Sequence, residues 1–289
     1  MKPLPPWQRL NAADHPVYVL ADRPDWLVPA KRATALIDRL LAGASPQSLA
    51  EHALFSQLSR EPAPPYGGRA AHLGLEDLKE CWFHITNHCN LCCEHCLFAA
   101  GPACRESLSR PQLDSALSQA RSLGCRLFLF TGGEPFIYTD FCDILTGLLA
   151  DPANQAVVLT NGLLLEKNLA ALAGVDPARL HFQVSVDGMQ ESHDRIRGKG
   201  AFQWLMSNLD LLGAAGFSAT LSMVVCRDNL ADMVEIVRLA AERGNSVHFL
   251  WHFQRGKGSQ EQHVAASDIL PHLLAAQEVA LGLGVTIDN

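Results

Sequence analysis

Cys81-Trp82-Phe83-His84-Ile85-Thr86-Asn87-His88-Cys89-Asn90-Leu91-Cys92-Cys93-Glu94-His95-Cys96 sets an apolar, strand-length run against a loop with four thiols and an imidazole in its last eight residues. In parallel α/β folds, ligands gather at the carboxyl ends of strands, so a strand that runs straight into such a loop marks a site. Downstream, five more apolar runs of strand length follow, at 126–130, 156–160, 180–186, 220–225 and 247–253. Helical patterns separate them, such as Leu113, Leu117, Ala120 and Leu123, then Met233, Ile236, Val237, Ala240 and Ala241. Strand and helix in regular alternation predict an α/β fold, a parallel sheet with crossover helices covering both of its apolar faces.

Read as Cys89-x3-Cys93-x2-Cys96, the loop offers three thiolates, the usual protein ligands of iron–sulfur clusters. A cubane cluster has four irons, so three cysteines leave one iron open to a small molecule. The same loop also reads as two Cys-x2-Cys pairs, Cys89/Cys92 and Cys93/Cys96, which with His84, His88 or His95 would suit a tetrahedral zinc ion.

The chain has 289 residues with 48% apolar content, enough for one large domain and a small one. Its net charge of −7 argues against a general nucleic-acid-binding surface. The first ten residues are broken by Pro3, Pro5 and Pro6, lack the apolar core of a signal peptide, and no stretch reaches the length of a membrane span. Nine cysteines without an export signal point to the cytoplasm, where such clusters bind metal rather than form disulfides. The remaining cysteines, Cys81, Cys104, Cys125, Cys142 and Cys226, read mostly as small buried hydrophobes.

Ahead of the sheet lie strand-like runs at 17–20 and 26–28. A helix through Ala33, Leu36, Ile37, Leu40 and Leu41 follows and stops at Gly43; a second, opened by Ser45-Pro46, runs through Leu49, Ala53 and Leu54. The stretch Glu61-Pro62-Ala63-Pro64-Pro65-Tyr66-Gly67-Gly68 predicts an extended linker. Three segments result: a small unit over 1–60, a linker over 61–77 and a larger α/β domain over 78–289.

Nearly every strand of the larger domain ends in a polar or glycine-rich signature. The second ends in Thr131-Gly132-Gly133-Glu134-Pro135, where missing Cβ atoms let the backbone approach a ligand. The third ends in Thr160-Asn161-Gly162 and the fourth in Ser185-Val186-Asp187-Gly188, whose alternation aims Ser185 and Asp187 the same way.

Cys-x3-Cys-x2-Cys followed one strand later by Gly-Gly-Glu resembles the radical S-adenosylmethionine (SAM) enzymes, and the Cys-Asn-Leu-x-Cys-x-His-Cys form resembles the SPASM-type branch that matures ribosomally made peptides. The resemblance covers about residues 78–284 and implies a partial (β/α)6 barrel. It implies cofactors too: a [4Fe-4S] cluster on Cys89, Cys93 and Cys96, with SAM chelated by the open iron. Cys92 falls outside the triad. Gly132, Gly133 and Glu134 would hold the SAM amino group, and Ser185 and Asp187 the ribose. Asn161 is a turn residue or a contact to the methionyl end, and Arg197 a partner of the SAM carboxylate or a solvated loop residue. Val225 and Met223 are adenine contacts or core. His95 stands where the family usually carries an aromatic residue near the adenine. His252 and Arg255 would lie near the barrel mouth.

The small unit resembles, in element order and in the run Asp25-Trp26-Leu27-Val28, winged-helix-like domains that hold a precursor's leader segment along a strand edge. A cap over the catalytic domain is the other reading. The implied activity is reductive cleavage of SAM at the cluster to give a 5′-deoxyadenosyl radical that abstracts hydrogen from a peptide. The implied partners are a peptide or protein substrate, with the leader held at residues 1–60, and an electron donor such as flavodoxin or ferredoxin; neither nucleic acid nor membrane is among them. A radical SAM enzyme acting on a folded protein or cofactor precursor, and a non-catalytic zinc-binding interaction protein, are the alternatives. The cysteine-rich C-terminal domain of the SPASM branch is expected to be absent or truncated, with residues 285–288 reading as the start of another strand.

Overall fold

A computed structural model describes residues 4–12, 15–20, 25–59 and 77–288, in two compact units, 1–76 and 77–289. The first unit is a three-stranded antiparallel sheet, β1 (Trp7–Ala12), β2 (His15–Leu20) and β3 (Asp25–Leu27), with β2 central, followed by α1 (Lys31–Leu41) and α2 (Leu49–Leu58). Tyr18, Ile37, Leu40 and Leu58 form its buried centre, ringed by Trp7, Leu27, Leu36 and Phe55. Each fully buried aliphatic side chain stabilises this small core by about 1.5–3 kcal/mol. Two polar contacts set register: Tyr18 Oη donates to Asp38 Oδ1 at 2.5 Å and Trp7 Nε1 to the Leu58 carbonyl at 3.1 Å.

Two sequence expectations change here. β1 escaped the sequence pattern because it is an edge strand whose side chains are largely exposed, Leu10 among them, so it carries no alternating apolar face. The second helix starts at Leu49, later than Ser45-Pro46 suggests; its cap is Ser48, whose Oγ accepts from Glu51 N at 3.2 Å. The 61–77 linker lies outside the described residues, apart from Asp77.

The second unit is a six-stranded, all-parallel sheet in the order β4 (Glu80–His84), β5 (Leu127–Thr131), β6 (Gln155–Thr160), β7 (Leu180–Ser185), β8 (Ala219–Val225) and β9 (Ser246–Trp251). Each strand pairs with its predecessor, the order that single right-handed crossovers produce. The crossovers carry α3 (Arg110–Ser122), α4 (Phe141–Leu149), α5 (Leu165–Asn168), α6 (Gln190–Arg197), α7 (Ala201–Ala214) and α8 (Met233–Arg243), and α9 (Ala266–Leu283) follows β9. β4 and β9 are the outermost of the six strands, so the parallel α/β sheet that the alternation predicts takes the form of the partial (β/α)6 barrel that the resemblance implies. Beyond α9, Thr286 and Asp288 bond to Val247, and Ile287 bridges it in parallel, beginning a seventh strand position.

One strand face feeds the core with the helices: Phe128, Phe130, Val158, Phe182, Val184, Leu221 and Met223 are buried against Leu113, Leu145, Leu205 and Ile236. Glycines stop the helices where φ turns positive, as at Gly244 after α8. Of the five cysteines read as hydrophobes, Cys125 and Cys226 are buried, while Cys81, Cys104 and Cys142 are half-buried. No helix among the described residues is long and apolar enough to cross a membrane.

Candidate active site at the carboxyl ends of the strands

The cysteine loop leaves β4 and is fastened by backbone bonds to the end of β5. Gly133 N donates to Thr86 O at 2.6 Å and Glu134 N to His88 O at 2.9 Å. A Cβ built on Gly132 would stand 2.5 Å from Thr86 O, and one on Gly133 only 2.4 Å from His88 O. The close approach that the missing Cβ atoms permit is therefore made first by the loop's own backbone, which engages the Gly133 and Glu134 amides. The carbonyls of Gly132 and Gly133 have no hydrogen-bond partner among the described residues.

Cys89 and Cys93 are buried and Cys96 half-buried; Cys92 is exposed and accepts from Lys257 Nζ at 3.1 Å. Cys89 Sγ accepts from Leu91 N at 3.4 Å and lies 3.8 Å from Asn161 Nδ2. Burial pushes the Cys89 thiol up to about 11, and charge on Cys93 or Cys96 would push it further. Burial raises Cys93 as well, while the Arg197 guanidinium pulls the other way. Three thiols that feel one another, with amide donors and one guanidinium beside them, suit a multinuclear cluster whose irons compensate the thiolates. Among the described residues, no three His, Cys, Asp or Glu side chains are gathered as a single metal ion needs.

Behind this loop lies a fully buried acid network. Glu134 accepts from Phe136 N (3.1 Å), Thr160 Oγ1 (2.8 Å) and Asn161 N (2.8 Å), tying the ends of β5 and β6 together. Burial pushes its carboxyl up to about 7, against those hydrogen bonds. Asp187 Oδ2 accepts from His95 Nε2 at 2.8 Å and Arg197 Nε at 2.6 Å, and Oδ1 from Val224 N at 2.9 Å. Burial alone would raise its pKa, but Arg197 and His95 hold it well below the usual carboxylate range. Next to it, His193 Nδ1 accepts from Asp187 N at 3.1 Å; burial and Arg197 lower this imidazole to about 4, leaving it neutral.

The model for the radical SAM superfamily matches residues 83–240. The chain belongs to the radical SAM superfamily. Among curated relatives, mycofactocin maturase MftC of Mycolicibacterium smegmatis is 31% identical over 180 residues, 61% of this chain and 45% of that protein. The subtilosin biosynthesis protein AlbA of Bacillus subtilis is 28% identical over 61% of this chain and 40% of its own. The chain thus spans less than half the length of these two relatives. Among solved structures, Streptococcus suis SuiB bound to S-adenosylmethionine aligns with a TM-score of 0.64 at 12% identity, over 94% of this chain and 68% of that one. SuiB bound to its precursor peptide SuiA aligns with a TM-score of 0.63 at 12% identity, over 95% and 69%. The cofactors of the superfamily are a [4Fe-4S] cluster and SAM.

Set against the radical SAM expectations, the residues divide. Arg197 offers Nη1 and Nη2 beyond its Asp187 bond, on a side chain only 9% exposed. Ser185 is half-buried and its hydroxyl has no partner among the described residues. Asp187, by contrast, is not a free carboxylate for a ribose diol, because both oxygens are occupied by protein donors. Asn161 donates to Asn90 Oδ1 in the cysteine loop at 2.8 Å, and its Oδ1 accepts from Leu163 N at 3.0 Å. Val225 and Met223 lie in the helix-covered core; alternation puts Val224 and Ser222 on the other face. His252 is buried near the β9 end, and nothing in the structure brings Arg255 to the site.

On that other face, Gln183 Nε2 reaches Ser222 Oγ and His248 Nδ1, both at 3.0 Å, and His181 bridges Ser218 and Thr220. This uncharged polar wall was not read from the sequence, although the alternation of β7 could have exposed it. Gly256 and Lys257 were also missed; their signal was a Gly-Lys-Gly tract directly after the last strand.

Proposed function

We propose that the chain binds a [4Fe-4S] cluster through Cys89, Cys93 and Cys96 and SAM at the open iron, and modifies a ribosomally made peptide. Together the bound cluster and SAM supply one-electron reductive cleavage and a 5′-deoxyadenosyl radical. The chain's own residues hold and orient. Arg197, already steered by Asp187, pairs with the SAM carboxylate. The open carbonyls of Gly132 and Gly133 accept from its ammonium, while Glu134 positions that turn and stays out of contact. Ser185 meets the ribose, and the uncharged wall of Gln183 and His248 faces the substrate.

The observation that carries this reading is the division of the four thiols: Cys89, Cys93 and Cys96 are buried or half-buried and within electrostatic reach of one another, with Arg197 beside Cys89 and Cys93, whereas Cys92 is exposed and accepts from Lys257. Anaerobic purification tests it. The expected result is a brown protein that releases 5′-deoxyadenosine from SAM with a reductant, with flavodoxin or ferredoxin as the physiological donor in the cytoplasm. Cys93→Ala should abolish colour and cleavage, and Cys92→Ala should keep both; the reverse outcome would refute the ligand register.

The peptide assignment draws on MftC, AlbA and the SuiB–SuiA complex, and on the edge of β3, where Trp26 is 67% exposed. A leader segment adds there as a fourth strand. Trp26→Glu should then weaken binding of a precursor peptide while SAM cleavage persists; unchanged binding would reduce the first unit to a cap.

A further inference from the structure

We infer that residues 254–258, following β9, clasp the cysteine loop and that Lys257 is a positioning residue, which holds the Cys92–Cys96 turn and raises the reduction potential of a cluster bound there. This rests on the cluster assignment above.

The contacts are specific. Lys257 N donates to Cys96 O at 2.9 Å, and its Nζ donates to Ala100 O at 2.8 Å and Cys92 Sγ at 3.1 Å. One residue therefore grips both ends of the turn that carries Cys93 and Cys96. Gly256 has φ +66°, and a Cβ there would stand 2.3 Å from both Cys96 O and Leu97 O. Only glycine permits that approach. The chain just beyond the tract is anchored away from the cluster: Arg227, just past β8, donates to Gln262 O through its N–H (3.0 Å), to Glu261 O through Nε (2.8 Å) and to His263 O through Nη2 (3.2 Å). A lysine on a loose surface loop would show neither the backbone bond to a ligand residue nor the opposite anchor.

Electrostatics gives the function. A cluster with three thiolates becomes more negative on reduction, so a nearby ammonium stabilises the reduced form more than the oxidised one. Residues just outside a metal's ligands typically change its retention by about 10- to 100-fold.

The test uses the full chain, reconstituted anaerobically with iron and sulfide, as wild type, K257M, K257R and G256A. Two readouts apply: iron lost to a chelator over time, and the reduction midpoint followed by electron paramagnetic resonance. K257M is expected to lose iron about 10-fold faster and to titrate at a more negative midpoint, while K257R stays near wild type. G256A should lose iron faster still; if it does not fold, K257M and K257R carry the test. K257M with the wild-type midpoint and iron-loss rate would overturn the clasp alone. A wild-type chain that takes up no cluster would refute the underlying site assignment, and the clasp with it.

Discussion

Asp187→Asn separates two roles for the residue at the centre of the site. The carboxylate is fully buried and accepts from His95 Nε2, Arg197 Nε and Val224 N. An asparagine keeps one oxygen for Val224 N but turns an NH2 toward His95 and Arg197, both already donors. Arg197, 9% exposed, is left as a buried cation without its counter-charge. Breaking a buried pair in this way costs about 3–5 kcal/mol. With a urea slope of about 2–3 kcal/mol/M, the unfolding midpoint of the apoprotein should fall by about 1–2.5 M. Measuring the apoprotein removes any contribution from bound cofactor. The double variant Asp187→Asn/Arg197→Met removes the stranded guanidinium and should recover part of the loss. If Asp187 instead served the ribose, D187N would weaken SAM binding and leave the urea midpoint nearly in place; that outcome would refute the buried-network account.

Three further expectations are open to direct measurement. Gly133→Ala sets a Cβ against the His88 carbonyl and should cost about 1–3 kcal/mol and sharply reduce iron uptake, whereas Gly147→Ala, inside α4 with open space around it, should leave iron uptake unchanged and add about 0.5–1 kcal/mol of stability. Glu134→Gln leaves His193 as the dominant buried titration: its pKa lies near 4, below the ordinary 6.5, so its stability contribution is present above pH 6.5 and is lost on acidification. The variant should lose about 2 kcal/mol between pH 7 and 5 by urea titration. His193→Asn isolates Glu134, whose pKa is raised to about 7, so stability is present below the ordinary carboxylate value and lost as pH rises; this variant should gain about 2 kcal/mol over the same fall in pH. A wild type that is nearly flat in that window, between two variants of opposite slope, is the expected pattern.

Much of the fold was legible because its signals are local. The six parallel strands fall within about two residues of the apolar runs, since each run is buried on its helix-covered face and bounded by polar or glycine-rich turns. The proposed ligands Cys89, Cys93 and Cys96 are local in the same way: their spacing lies within one loop. β1 was not legible, because an exposed edge strand needs no apolar face. The partners of Asp187 were not legible either. His95 is 92 positions away, and Val224 donates a backbone amide that no side-chain pattern announces.

Gly132-Gly133-Glu134 shows where motif reading stops. A paired glycine states that Cβ atoms must be absent but not what occupies the space. Here the occupants are the carbonyls of Thr86 and His88, and the buried Glu134 carboxylate then binds Thr160 and Asn161 from the next strand. The motif joins the ends of three neighbouring strands, β4, β5 and β6, before any ligand arrives. Its two carbonyls are left without a hydrogen-bond partner among the described residues, which is why they are proposed as the ligand contacts of the turn. Lys257 repeats the logic from the far edge of the sheet, with Gly256 admitting the close approach and the lysine supplying the bond. The loop between them is held from both sides by glycine-dependent backbone contacts, so its backbone is set by the protein alone, ahead of anything the thiols are proposed to bind.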